Sequence, residues 1–210
     1  TDVRGFTSMS ESMSAEDVTY IMNRALTAQV EAVKKYGGMV DKFIGDAVMV
    51  FFGDPQTLGE RQDALACVEM ATKMQKRIED LQTYWKKIGI KNGMQVRMGI
   101  STGYCTVGDF GSQQRLDYTA FGSPVNLAAR LEAMAPATKI IISEQTYDLI
   151  SDQVKCEPFK EITPKGFSRP VNTFCISDDN LKSKVSEQGQ FKRLGSRVSI
   201  DIFDTSDIRA

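Results

Sequence analysis

The sequence predicts an α+β fold with one mostly antiparallel sheet covered by helices on one face. Three observations carry that expectation. Short apolar runs come in pairs split by turn residues. The pairs alternate with helical stretches whose apolar residues recur every three to four positions. Their order is mixed rather than a strict strand–helix repeat. A chain of 210 residues suits one domain with room for a small appendage, and 41% hydrophobic with 25% charged residues is ordinary globular composition.

Taken in order, residues 2–5 read as the end of a strand. Ser14 then opens a helix. Ser14 and Asp17 resemble a capping box with Asp in place of Glu, and Met13 and Val18 sit where a hydrophobic staple would. Val18, Ile21, Met22, Ala25, Val30 and Val33 follow at helical spacing, and Gly37-Gly38 ends the helix. Runs 39–44 and 47–52 flank Gly45-Asp46, two residues that tolerate the positive φ of a primed hairpin turn. The second run is nearly all apolar and should be a central strand. Residues 58–87 form a long helix with Leu65, Val68, Ala71, Met74, Ile78, Leu81 and Trp85 on one face. Residues 96–101 and 104–109 read as another strand pair turning at Thr102-Gly103. A helix starts near Ser123 with Pro124 in its first turn. Residues 139–142 are a strand, and Ser143 caps a short helix ending near Ile150. Strands at 154–162 and 171–176 enclose Pro164-Lys165-Gly166. Beyond Ser177 the chain turns polar, with a strand-like alternation at 197–203.

Composition excludes several chemistries. Histidine is absent, which removes Ser-His-Asp and Cys-His catalysis, His-ligated zinc and haem, and HExxH sites. Cys67, Cys105, Cys156 and Cys175 have neither metal-ligand nor CxxC spacing, so they read as free thiols in a reducing compartment. The net charge of −1 opposes a broad nucleic-acid surface. No apolar run reaches the roughly 18 residues of a membrane span. Neither GxxxxGK[ST] nor GxGxxG occurs. The chain shows no signal-peptide pattern and opens at Thr1 without methionine, which reads as part of something longer. The remaining chemistry must use carboxylates, Lys, Arg, Asn, hydroxyls and metal ions bound through oxygen.

Asp2 ends a strand and Asp46 sits in a hairpin turn. If those strands are neighbours, both carboxylates leave one sheet edge and, with phosphate oxygens added, suit Mg²⁺ or Mn²⁺. Read on spacing alone they are equally a strand-end charge and a turn residue. Gly5-Phe6-Thr7-Ser8 offers free N–H groups to a phosphate, or is simply a turn. Asn126 and Arg130 share a helix face and could hold a ribose and a phosphate, or be a solvated surface. Leu127 and Leu131 take the neighbouring face and should pack inward. Lys42 on a strand, Arg97 between two apolar strand residues and Lys165 in a turn are each unremarkable alone.

Together they are specific. Thr1-Asp-Val-Arg-Gly-Phe-Thr, Asp41-Lys-Phe-Ile-Gly-Asp, Val96-Arg-Met-Gly-Ile-Ser-Thr-Gly and Leu116-Asp-Tyr-Thr-Ala-Phe-Gly-Ser-Pro-Val-Asn-Leu-Ala-Ala-Arg-Leu-Glu, in that order, resemble the class III nucleotidyl cyclase catalytic domain. The resemblance covers about residues 1–176. It implies a ferredoxin-like-derived sheet, a catalytic domain over 1–177 and a polar tail over 178–210. It also implies attack of a ribose 3′-hydroxyl on the α-phosphorus of a nucleoside triphosphate, giving a 3′,5′-cyclic nucleotide and pyrophosphate.

By matching position, Asp2, Asp46 and the Val3 carbonyl would hold two divalent ions, Mg²⁺ or Mn²⁺. Gly5, Phe6, Thr7, Arg97 and Lys165 would bind phosphates. Asn126 would orient the ribose and Arg130 would neutralise charge on the α-phosphate. Lys42 and Thr119 would read the base, as in the adenylate cyclases of the Lys/Thr subgroup, which includes bicarbonate-stimulated enzymes. Guanylate cyclases typically place Glu and Cys there. Lys is a pure donor for adenine N1, and a Thr hydroxyl can accept from the 6-amino group. The resemblance further implies a head-to-tail homodimer. One chain supplies the metal aspartates with Arg97; the other supplies Lys42, Thr119, Asn126, Arg130 and Lys165. It places the domain in the cytoplasm, free or as the cytoplasmic part of a membrane-anchored parent. The family usually has further strand residues before the first metal aspartate, so the first strand is expected to be incomplete. The rival readings are a guanylate cyclase, a catalytically silent nucleotide-binding or dimerisation module, and a sheet-based RNA-binding module. Lys42 opposes the first, the retained Asp2, Asp46, Asn126 and Arg130 oppose the second, and the net charge opposes the third.

Overall fold

The computed structural model describes residues 1–4, 6–89, 94–164, 167 and 169–178, without the side chains of residues 7–9. Its elements are β1 (Asp2–Arg4), α1 (Phe6–Ser12), α2 (Ala15–Tyr36), β2 (Met39–Ile44), β3 (Ala47–Phe51), α3 (Glu60–Lys87) and β4 (Gln95–Ile100). There follow β5 (Thr106–Ser112), β6 (Arg115–Phe121), α4 (Ser123–Met134), β7 (Ile140–Ser143), α5 (Glu144–Ile150), β8 (Cys156–Ile162) and β9 (Val171–Ile176). The expected strand at 197–203 lies outside the described residues.

Local chemistry sets most boundaries. The Ser14 hydroxyl accepts the Asp17 N–H at 3.1 Å and opens α2, and Gly37, at φ 79°, ends it in the left-handed region that glycine enters without a Cβ penalty. Asp63 holds the entry to α3: Oδ1 accepts the Leu58 N–H at 3.1 Å and Oδ2 the Thr57 hydroxyl at 2.5 Å. That loop and Gly59 at φ 100° delay the helix to Glu60, two residues later than expected. Residues 6–8, expected to belong to a turn, instead start α1, with the Phe6 ring packed against the main core.

Five strands form the central sheet in the order β1-β4-β7-β9-β8. The pair β4–β7 is parallel and the other three pairs are antiparallel. Thr1 and Val48 exchange two main-chain hydrogen bonds at 2.9 Å, so the β2–β3 hairpin abuts β1. The second hairpin differs from expectation. Residues 96–101 do not pair with the strand that follows them. Both edges of β4 are taken, by β1 and β7, and β5 pairs with β6 instead, from Thr106↔Phe121 to Ser112↔Arg115. The sequence did not announce β6, because all its side chains except Thr119 and Ala120 are exposed and no alternating burial pattern results.

The helices lie on both faces of the sheet, not one. Ile140 and Ile142 of β7 point into the main core with Ile21, Met74, Ile78 and Trp85. Ile141 points the other way, to Leu127 and Leu131 of α4. A Cβ at Gly99 would lie 2.2 Å from the Ala128 carbonyl oxygen and the Glu132 nitrogen. Only glycine lets α4 come this close to β4, and that approach sets where the α4 side chains stand.

Candidate active site

Two clusters of polar side chains emerge from this frame. The first lies where β1, β4 and the end of α4 meet. The antiparallel register sets Asp2 opposite Arg97. Arg97 donates from Nε and Nη2 to Asp2 Oδ2 at 3.1 and 2.9 Å, and from Nη1 to the Ala133 carbonyl at 2.9 Å. Glu132 Oε1 stands 2.6 Å from Arg97 Nε. All three charged side chains are between 16% and 20% exposed, so water reaches them. Burial, and then the charge of Asp2, push the Glu132 carboxyl above its ordinary range, with Arg97 pulling the other way.

Asp46 joins this end through the backbone. Thr1, next to Asp2, and Val48, two residues past Asp46, bond each other, so the Gly45-Asp46 hairpin lies against β1. Asp2, the Val3 carbonyl and Asp46 thus come to one end of neighbouring strands. Their donors are two carboxylates and a carbonyl, all hard oxygens, which fit Mg²⁺ or Mn²⁺. Among the described residues no three His, Cys, Asp or Glu side chains form a metal cage, so ions here would complete their shells with water and substrate phosphate.

The second cluster joins the two hairpins. The Asp41 side chain is fully buried; Oδ2 accepts the Thr119 hydroxyl at 2.6 Å and the Ala120 N–H at 3.2 Å. Lys42 Nζ lies 3.3 Å from Asp41 Oδ1 and remains 39% exposed. One carboxylate therefore holds both residues expected to read a base.

On α4, Leu127 and Leu131 are buried, leaving Asn126 exposed and Arg130 half-buried beside them, as their spacing predicts. Gly5, Lys165 and the side chain of Thr7 lie outside the described residues. The Phe6 ring belongs to the core, so a phosphate contact there would fall to its main chain. Sequence reasoning gave no role to Asp41 or Glu132. Each stands inside a quoted motif, but its partner is 78 or 35 residues away and only the fold reveals it.

The family of adenylate and guanylate cyclase catalytic domains matches residues 1–178. The chain belongs to that family. Adenylate cyclase 1 of Rhizobium meliloti (strain 1021) is 30% identical over 176 residues, 83% of this chain and 26% of that protein. Among solved structures, the adenylyl cyclase CyaB from P. aeruginosa is 48% identical with a TM-score of 0.81, covering 84% of this chain and 90% of that one. The guanylyl cyclase Cya2 is 31% identical with a TM-score of 0.76, covering 83% and 87%. The cyclase domain spans less than a third of the length of the curated relatives it matches. None of its described helices is long and apolar enough to cross a membrane.

Proposed function

We propose that this cyclase domain is an adenylate cyclase that converts ATP to 3′,5′-cyclic AMP and pyrophosphate. One observation carries the base choice: Lys42 and Thr119 share the buried carboxylate of Asp41. Lys42 brings only donors, which suit the acceptor N1 of adenine and oppose the N1–H of guanine. The Thr119 oxygen can accept from the 6-amino group.

The reaction forms a bond between the ribose 3′-oxygen and the α-phosphorus and breaks the one from that phosphorus to the β-phosphate oxygen. The 3′-hydroxyl proton leaves to water. Asp2, Asp46 and the Val3 carbonyl would hold two divalent ions, whose chemistry when bound is to acidify the 3′-hydroxyl and offset phosphate charge. Arg97, paired with Asp2 in the structure, turns to the β- and γ-phosphates when substrate binds, joined there by Lys165 and the main chain of Gly5, Phe6 and Thr7. Asn126 orients the ribose. Arg130 offsets the charge growing on the α-phosphate.

The site is completed by a second copy packed head to tail, one copy giving the carboxylate end and the other giving Lys42, Thr119, Asn126 and Arg130. Phe43, Ile44, Tyr104, Leu116 and Phe121 expose large apolar surface on the hairpins and the segment leading into β5, which supports burial against another chain. The catalytic unit is residues 1–177, with 178–210 a tail, and the domain works in the cytoplasm.

The test is cyclic-nucleotide formation by the purified chain with Mn²⁺, ATP and GTP supplied separately. Cyclic AMP from ATP in excess over cyclic GMP from GTP is expected. Equal use of both, or a preference for GTP, overturns the base assignment.

A further inference from the structure

We propose that Asp41 is a positioning residue for base selection: its carboxylate accepts the hydrogen bond of the Thr119 hydroxyl, so the Thr119 oxygen can only accept from a base. The inference rests on the adenylate reading above and adds a residue to it.

The register of the β2–β3 hairpin slips between Val40 and Lys42, with Val40 opposite Val50 and Lys42 opposite Met49. Asp41 is the extra residue of that bulge. A bulge re-aims side chains that regular alternation would send elsewhere. Here it puts Asp41, with no exposure, against β6 of the other hairpin while Lys42 stays within 3.3 Å of the same carboxylate.

A threonine hydroxyl has one proton and two lone pairs and rotates to suit its neighbours. Left free, it would donate to the 6-oxygen of guanine as readily as it accepts from the 6-amino group of adenine. An ionised carboxylate has no proton to give, so toward Asp41 the hydroxyl must donate. Oδ2 also accepts the Ala120 N–H, which fixes that oxygen in place. Thr119 itself is 3% exposed, so water has little room to compete for the hydroxyl. Asp41 thereby gives Thr119 one polarity. The same carboxylate lies 3.3 Å from Lys42 Nζ, whose ammonium carries only donors.

The experiment measures kcat/KM for ATP and for GTP, with Mn²⁺, in the parent chain, Asp41→Ala and Asp41→Asn. Asp41→Ala frees the hydroxyl, and the ATP-over-GTP ratio should fall about tenfold, the scale of one hydrogen-bond preference. Asp41→Asn should keep the ratio within about threefold of the parent, because its carbonyl oxygen accepts the same two donors and the Ala120 N–H prevents the amide from flipping. A residue that only braces the hairpins would lower both substrates by the same factor. That result in Asp41→Ala overturns the inference, as does a ratio in Asp41→Asn that falls as far as in Asp41→Ala. If Asp41→Ala does not fold, Asp41→Ser, too short to reach Thr119, replaces it with the same two outcomes. A parent chain that prefers GTP overturns the adenylate reading itself; an ATP-selective parent with an unmoved ratio overturns only the role of Asp41.

Discussion

The two polar clusters are built in opposite ways. At the carboxylate end, Asp2, Glu132 and Arg97 are partly solvated and share partners, so one guanidinium serves two acids. At the base end, the Asp41 side chain has no exposure and serves one ammonium, Lys42, together with a neutral hydroxyl and a main-chain N–H. In the proposed reaction the first set trades partners for phosphates and ions, and charges near water rearrange at little cost. A group that must read one pattern of donors and acceptors is locked where water cannot substitute for it. Helix α4 presents Glu132 to Arg97 and also carries Asn126 and Arg130.

The comparison breaks most sharply at Asp46. Asp46→Asn should lower turnover by more than about 10³-fold, because it removes a charge that no neighbouring group replaces. Its thermal midpoint should stay close to the parent's, since the turn keeps its shape; full activity would remove Asp46 from the carboxylate end. Arg130→Ala should lower kcat by roughly 10²–10³, the usual loss for one preorganised electrostatic donor, with a smaller change in KM. Gly99→Ala tests the seat of α4 on β4. The added Cβ meets backbone at 2.2 Å, so α4 must shift, at a cost of about 1–3 kcal/mol in chemical denaturation. The smallest effect belongs to Glu132. Its carboxyl is raised in the folded chain, so the ionised form opposes folding. No penalty exists below the ordinary value near 4.5, and stability falls as pH rises through the raised one. Glu132→Gln lacks that fall. Beyond a constant offset from the lost ion pair, denaturation curves taken across this window should show a flatter pH dependence than the parent's.

What the sequence made legible follows from local rules. The Ser14 cap, the Gly37 stop, the Gly45-Asp46 turn and the inward Leu127 and Leu131 are each decided within a few residues, and the structure places all of them as read. The misses are long-range. The exposed strand β6 carries no burial period. The second face covered by α4 depends on Gly99, whose reason is the helix laid over it. Asp41 lies on a bulge, where period-two reading fails, and Arg97 looked open to phosphate because its pairing with Asp2 comes from a cross-strand register.

In the proposed dimer, the carboxylate end of one chain works with the base and α4 end of another. Mixing tests it most directly. Asp46→Asn and Arg130→Ala are each nearly inactive alone. Once subunits have exchanged, half of the dimers should carry one intact site of two, so the mixture should regain about a quarter of parent activity per chain. A mixture no more active than its components, with exchange verified, would contradict the shared site.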